Sequence, residues 1–311
     1  MSSAFIEKVK TSDLAWINII ATGKKELAQV AKIMPTIDAF DLRDIPPPLQ
    51  RPKLMIRDNY LFLILNFPVY NRKTREISTS EVDFIINHEH LITINDGGRL
   101  LPLQELFARV QENKEFREHI VTHQQGLLLY HILDHLLSSV FPMLIHVSQD
   151  IDTIEQEIFS GRERAMVHEL LLLKRNIVNF RKTMMAHQSV VKKLVSACPS
   201  FFPSANLQRY LESLVAHTND IWDLLSSYKD TIDALHETNE SLISFGLNET
   251  MKTYTIISVI IFAQTLIAAL LGMHLAGTPL LDSPMAFSWV LLIEAATAIF
   301  MLVIFRIKRW F

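Results

Sequence analysis

Hydrophobic residues change their spacing along this chain of 311 residues, and each spacing predicts a different structure. Up to about Asn113 they come in short blocks. Tyr60 to Val69, Glu81 to Asn87 and His90 to Asn95 are rich in Ile, Leu, Phe and Val and bounded by turn formers such as Asp58-Asn59 and Asp96-Gly97-Gly98, which predicts sheet strands. Lys24 to Ile33 and Leu103 to Glu112 have helical spacing, and Pro46-Pro47-Pro48 marks an extended break. From about Glu115 the strand signals cease. Gly126 to Phe141, Pro142 to Ser160, Arg162 to Val195 and Asn206 to Asn248 predict helices, interrupted at Gly161 and at the segment from Cys198 to Pro203. In the last of these, Leu207, Leu211, Leu214, Thr218, Ile221, Leu225, Tyr228, Ile232, Leu235, Asn239, Leu242 and Gly246 recur at steps of four and three, a heptad seam. Its polar members and Gly246 lead to the expectation that several copies of the chain gather on this seam around a common axis.

Beyond the seam the polar face disappears. From Thr253 to Leu281 there is no Asp, Glu, Lys or Arg, and a second apolar run follows. A membrane-spanning helix needs about 20 mostly apolar residues. Residues 253–275 supply one span and 287–305 another, joined by a short turn-rich loop, 276–286, so the two form an antiparallel hairpin. No Pro interrupts Ala205 to Leu275, so the seam is expected to run into the first span as one helix of about 70 residues, roughly 100 Å at 1.5 Å per residue. Lys252, Arg306, Lys308 and Arg309 flank the spans, whereas the loop carries only Asp282, which places both termini in the cytoplasm by the positive-inside bias. The domain reading is thus a cytosolic α/β part, 1–114, a cytosolic helical stalk, 115–250, and a transmembrane hairpin, 251–311, with a basic end.

Composition narrows the function. The formal net charge is −3, and basic pairs such as Lys24-Lys25 and Lys192-Lys193 have acids interspersed, so nucleic acid is not an expected partner. The N-terminus has no apolar stretch of secretory type, and the lone Cys198 fits a reducing compartment. No Gly-rich dinucleotide or phosphate loop and no nucleophile elbow is present, so no enzyme and no bound cofactor are expected. His131 and His135 have zinc-ligand spacing without a third ligand, and Asp150, Asp152, Glu155 and Glu157 form an acidic helix face.

The first span carries the candidate chemistry. Asn248, Met251, Thr255, Ser258, Phe262, Thr265, Ala269 and Gly272 fall on one helical stripe that alternates polar and apolar groups. If copies surround an axis, the stripe becomes stacked rings: oxygens that hydrogen-bond a cation's water shell, and apolar collars at Met251 and Phe262 that close by dewetting. Such a lining suits an ion that keeps its water, such as Mg²⁺. Glu237, with Asp230 and Asp233, is available to attract cations along the stalk. Glu294 lies in the middle of the second span, where a carboxylate is costly and pairs or stays protonated; Gln264 is at similar depth.

These features together resemble a known family. Asn248-Glu249-Thr250-Met251-Lys252 before the first span, Gly272-Met273-His274 at its end, the short loop, Trp289 near the opening of the second span and the basic end from Arg306 to Phe311 resemble the CorA family of divalent-cation transporters. Val82 to Ile86, Leu91 to Ile94 and the helical stalk match in order, so the likeness covers nearly the whole chain. The resemblance implies an α+β membrane protein, a homopentamer in the cell (inner) membrane with a funnel-shaped cytosolic part, the first span lining the pore and the second outside it. It implies Gly272, Met273 and the residue after them as the selectivity motif. The family has Asn where this chain has His274. A neutral imidazole offers one acceptor nitrogen, so His274 is a poorer cradle for hydrated Mg²⁺ and a better direct ligand for Zn²⁺, Co²⁺ or Ni²⁺. Asp282 is the only acid in the outer loop, so cation steering there is weak.

Three functions follow. The first is transport of divalent cations, Mg²⁺ foremost with Co²⁺ and Ni²⁺. The second keeps the fold and carries Zn²⁺, Co²⁺ or Ni²⁺, with proton coupling through Glu294. The third is a non-conducting membrane scaffold that binds a cytosolic protein partner. Each needs membrane lipid and assembly of like chains.

Overall fold

The computed structural model describes residues 6–11, 14–121, 125–202, 205–273, 285–308 and 310. The chain divides into two compact units, Met1–His236 and Glu237–Phe311. The first begins with a six-stranded sheet: β1 (Ile6–Lys10), β2 (Ala15–Ile19), β3 (Lys53–Ile56), β4 (Leu61–Asn71), β5 (Glu76–Ile86) and β6 (His90–Ile94) lie in the order β1-β2-β6-β5-β4-β3. Only the β2–β6 pair is parallel. The predicted strands correspond to β4, β5 and β6, with β5 starting five residues earlier than its apolar run.

Helices α1 (Lys24–Ile33) and α2 (Ala39–Asp44) follow β2. Alternate residues of the central strands point to opposite faces, and both faces are covered. On one, Ile17, Ile19, Phe62, Ile64, Ile85 and Ile92 pack with Val30 of α1 and with Met34, which caps its C-terminal end. On the other, Trp16 meets Phe107 of α3 (Leu101–Glu112) edge to face, with ring centroids 4.9 Å apart. Its indole Nε1 donates to Thr93 Oγ1 at 3.0 Å, which in turn donates to Asn18 Oδ1 at 2.9 Å. This chain of donors satisfies a polar stripe inside an apolar layer.

Below α2 lies a buried ion pair. Asp41 is fully buried, and Arg57 reaches it with Nε at 3.0 Å and Nη2 at 2.7 Å, while the Tyr60 hydroxyl donates at 2.5 Å. Burial pushes the Asp41 carboxyl up, and Arg57 and Tyr60 outweigh it, leaving its pKa below the usual value.

The helical part contains α4 (Lys114–Ile120), α5 (Gln125–Ser138), α6 (Val140–Glu157), α7 (Glu163–Met184), α8 (His187–Phe201) and α9 (Ala205–Gly272). Helix α7 docks on the β4–β5 hairpin: Asn176 accepts from the Ile77 amide at 3.0 Å and donates to the Arg75 carbonyl at 2.8 Å. Arg75, at φ +56° in the hairpin turn, pairs with Glu169 at 2.8 Å. Gly161, at φ +87°, ends α6 in a widened turn, as its sequence position predicts.

Three expectations are corrected. The single helix predicted from Arg162 to Val195 breaks at Met185-Ala186 into α7 and α8, and α8 continues past Pro199 to Phe201. The heptad seam is not free for other copies from Leu207 to Leu235: Leu207, Leu211, Leu214, Thr218, Ile221, Leu225, Ile232 and Leu235 are buried in the single chain. Helices α5, α7 and α8 provide its partners. Tyr130 packs against Tyr210 with the rings tilted by 39° and centroids 5.0 Å apart, Arg181 lies 4.9 Å over the Trp222 ring, and Lys174 pairs with Asp233 at 2.7 Å. Helices α5 and α9 approach so closely that a Cβ at Gly126 would meet Leu207 Cδ2 at 2.2 Å. Cys198, in α8, is 1% exposed, and burial pushes its thiol up to about 11.

Candidate functional site: the membrane-spanning helix pair

Among the described residues, three helical stretches are long and apolar enough to cross a membrane: Gln125–Cys198, Asn206–Gly272 and Phe287–Ile307. In the first, 44% of the apolar window is buried in the fold, whereas the second and third have 6% and 0% buried. Apolar surface already used in a core is not available to lipid, so α9 and α10 (Ala286–Ile307) are the spans. The uninterrupted α9 has 68 residues, as the absence of proline predicts.

The two helices meet through a polar clasp. Gln264 Nε2 donates to Thr297 Oγ1 at 3.2 Å, and that hydroxyl also lies 2.9 Å from the carbonyls of Ile293 and Glu294. Gln264, which lies at similar depth to Glu294, is thus bonded to Thr297. Thr297 carried no sequence signal beyond lying three residues after Glu294. On α9 the half-buried positions Ile260, Ala263, Gln264, Ile267 and Leu271 share this side.

At 3.6 residues per turn, the stripe from Asn248 to Gly272 falls on the opposite side of α9. All eight members, Asn248, Met251, Thr255, Ser258, Phe262, Thr265, Ala269 and Gly272, are exposed in the single chain. Phe262 is 73% exposed and Met251 63%, large apolar surfaces on the side away from the clasp. Thr255 and Thr265 donate their hydroxyl protons to the carbonyls of Met251 and Ile261, both at 2.8 Å. Each oxygen then keeps its lone pairs for an outside donor, and the water shell of a cation is such a donor.

The other sequence candidates separate. Met273 is exposed beside Gly272, while His274 and Asp282 lie outside the described residues. Glu237 is exposed on α9. Asp233 is held by Lys174 at 2.7 Å and Lys229 at 2.9 Å, and these partners keep its pKa below the usual value, so it is a structural anion rather than a free attractor. His131 faces the His119 ring with centroids 6.0 Å apart, and burial lowers its pKa. Among the described residues no group of three or more His, Cys, Asp or Glu could hold a metal ion, and His131 and His135 belong to none.

Similarity to known proteins agrees with this architecture. The chain is 27% identical over 301 residues to the cobalt/magnesium transport protein CorA of Thermotoga maritima, covering 96% of this chain and 84% of that one. It is 22% identical over 302 residues to the protein of the same name from Methanocaldococcus jannaschii, covering 96% and 91%. The complete structure of the CorA magnesium transporter from Methanocaldococcus jannaschii superposes with a TM-score of 0.84 at 21% identity, covering 98% of this chain and 94% of that one. Residues 11–309 match the family described as CorA-like Mg2+ transporter protein, and the chain belongs to that family.

Proposed function

We propose that this protein moves divalent cations, Mg²⁺ foremost and Co²⁺ and Ni²⁺ with it, through a pore built from copies of α9. The observation that carries the reading is the exposed stripe opposite the α10 clasp, with its outward-facing threonine oxygens. Copies arranged as a homopentamer would turn that stripe inward and leave α10 toward lipid. Asn248, Thr255, Ser258 and Thr265 then offer oxygen rings to a hydrated ion, and Met251 and Phe262 form collars between them. A lining without carboxylates binds weakly at each ring, which conduction requires. In this reading Gly272, Met273 and His274 form the outer mouth, residues 1–114 and 115–250 stay in the cytoplasm of an inner-membrane protein, and the ion is cargo, not a resident cofactor.

Flux into liposomes that hold the purified protein tests it, with Mg²⁺, Co²⁺, Ni²⁺ and Zn²⁺ compared. Mg²⁺ entry that falls with Thr255→Val/Thr265→Val is the expected result. Entry of transition metals alone, with Mg²⁺ entry gained by His274→Asn, would assign selectivity to the imidazole. No entry of any ion in either protein would sink the transport reading in favour of a scaffold.

A further inference from the structure

A groove of about 1090 Å³ lies between the β3–β5 side of the sheet and the C-terminal turns of α7, far in sequence from the membrane stripe. Its charge is opposite to that of the chain. Arg51, Arg175 and Lys182 line it against one carboxylate, Glu76, whereas the whole protein carries −3. Glu76 pairs with Arg175. Arg51 and Lys182 make no ion pair among the described residues, although the loop before β3 and the last turn of α7 bring them to the same groove. Basic side chains gathered around a concave surface without counter-ions raise the local concentration of anions.

The groove also holds an unanswered acceptor. Asn66 Nδ2 donates to the Gln50 carbonyl at 3.3 Å, but its Oδ1 is buried without a hydrogen-bond partner. A buried acceptor of this kind calls for an N–H donor from outside the chain. Beside it the wall is apolar, with Pro52 and a largely exposed Met185, 66% accessible. Charge for an anion, a flat apolar wall and one amide acceptor are the elements of a small-molecule site, and the volume is just above the usual range of roughly 300–1000 Å³.

We propose that this groove binds a nucleotide, with the phosphates on Arg51 and Lys182, assisted by Arg175, and the base against Pro52 and Met185, its amino group donating to Asn66 Oδ1. The inference is independent of ion transport, since its residues lie outside the spans. A Mg²⁺ ion on the phosphates cancels two of their negative charges, so the positive groove favours the unchelated nucleotide over its Mg²⁺ complex.

The test is calorimetric titration of the full-length protein in detergent with ATP, tripolyphosphate and adenosine, in EDTA and then with added Mg²⁺. Saturable ATP binding is expected, weakened by about tenfold or more in Arg51→Ala/Lys182→Ala and by added Mg²⁺, and unchanged in Lys192→Glu. Asn66→Ala is expected to weaken ATP and leave tripolyphosphate unchanged, with elution volume confirming the assembly of every variant. Failure of ATP to saturate, or equal affinity in the wild type and the double variant, overturns the site. Equal weakening by Lys192→Glu shows general charge attraction and does the same. Tripolyphosphate binding with ATP affinity insensitive to Asn66→Ala overturns the nucleotide assignment.

Discussion

Removing the Arg57 side chain tests how the sheet end and α2 are held. Asp41 has no exposure, and its carboxylate is satisfied by the two guanidinium contacts at 3.0 and 2.7 Å and by the Tyr60 hydroxyl at 2.5 Å. In Arg57→Ala the carboxylate stays buried with the hydroxyl alone. Breaking a buried pair from one side costs about 3–5 kcal/mol. The Arg57 side chain is 34% exposed, so solvent already screens part of the interaction, and about 2–3 kcal/mol is the expected loss. In a chain of this size that lowers the unfolding midpoint by about 5 °C. Thermal unfolding of the full-length protein in detergent at pH 7, followed by tryptophan fluorescence, measures it. The decisive comparison is Asp41→Asn/Arg57→Ala. If the stranded charge is the cause, the double variant unfolds at a higher temperature than Arg57→Ala alone, because the amide is neutral and its oxygen still accepts from Tyr60. A double variant less stable than the single one would refute the reasoning.

Three further outcomes are expected. Asp83 is 2% exposed with Oδ1 unpartnered, and burial pushes its pKa well up; the folded state therefore holds a proton that the unfolded chain has lost, and stability falls as pH rises through that window. Asp83→Asn should raise the unfolding midpoint at pH 7 with a gain that vanishes near pH 4, and a shift equal at both pH values would contradict this. His187 is fully buried against Phe67 at 5.2 Å between ring centroids, and burial lowers its pKa to about 4, so below the usual 6.5 the unfolded chain takes up the proton first and stability falls with pH. His187→Leu should flatten the midpoint between pH 6.5 and 4, whereas an unchanged slope would assign the acid loss to other groups. In liposomes, Phe262→Ser should raise resting Mg²⁺ flux several-fold by opening an apolar collar, and flux equal to wild type would remove Phe262 from the gate.

Sequence pattern anticipated most of the buried elements but missed β2, whose five residues are all buried inside the sheet. The helix at Lys24–Ile33 and the runs in β4, β5 and β6 were legible because both sheet faces are covered, which makes central strands continuously apolar. The strands β1 and β3 at the two edges were not, since Ile6–Lys10 carries Glu and two Lys and Lys53–Ile56 is four residues long. Pro68 lies inside β4 without breaking it because β3 pairs only with Leu61 to Ile64, so past that point the outer edge of β4 needs no donor for a neighbour. The exposed stripe on α9 was legible from helical spacing alone. The Gln264–Thr297 clasp and the Arg51–Lys182 groove join residues distant in the chain, and no local pattern encodes such pairs. The seam showed that α9 needs helical partners; its spacing is the same whether they come from this chain or another.

The chain has one cysteine, and it is sealed in α8 with its thiol held protonated at physiological pH. Thiolate, not thiol, reacts with maleimides and methanethiosulfonates, so native Cys198 contributes almost no label. A cysteine placed at any exposed stripe position would thus be the sole reactive handle in each copy. Spin labels at Asn248, Ser258 and Ala269, one at a time, would report the number of copies and the distance between equivalent stripe positions at three depths by pulsed dipolar spectroscopy, without first engineering a cysteine-free background.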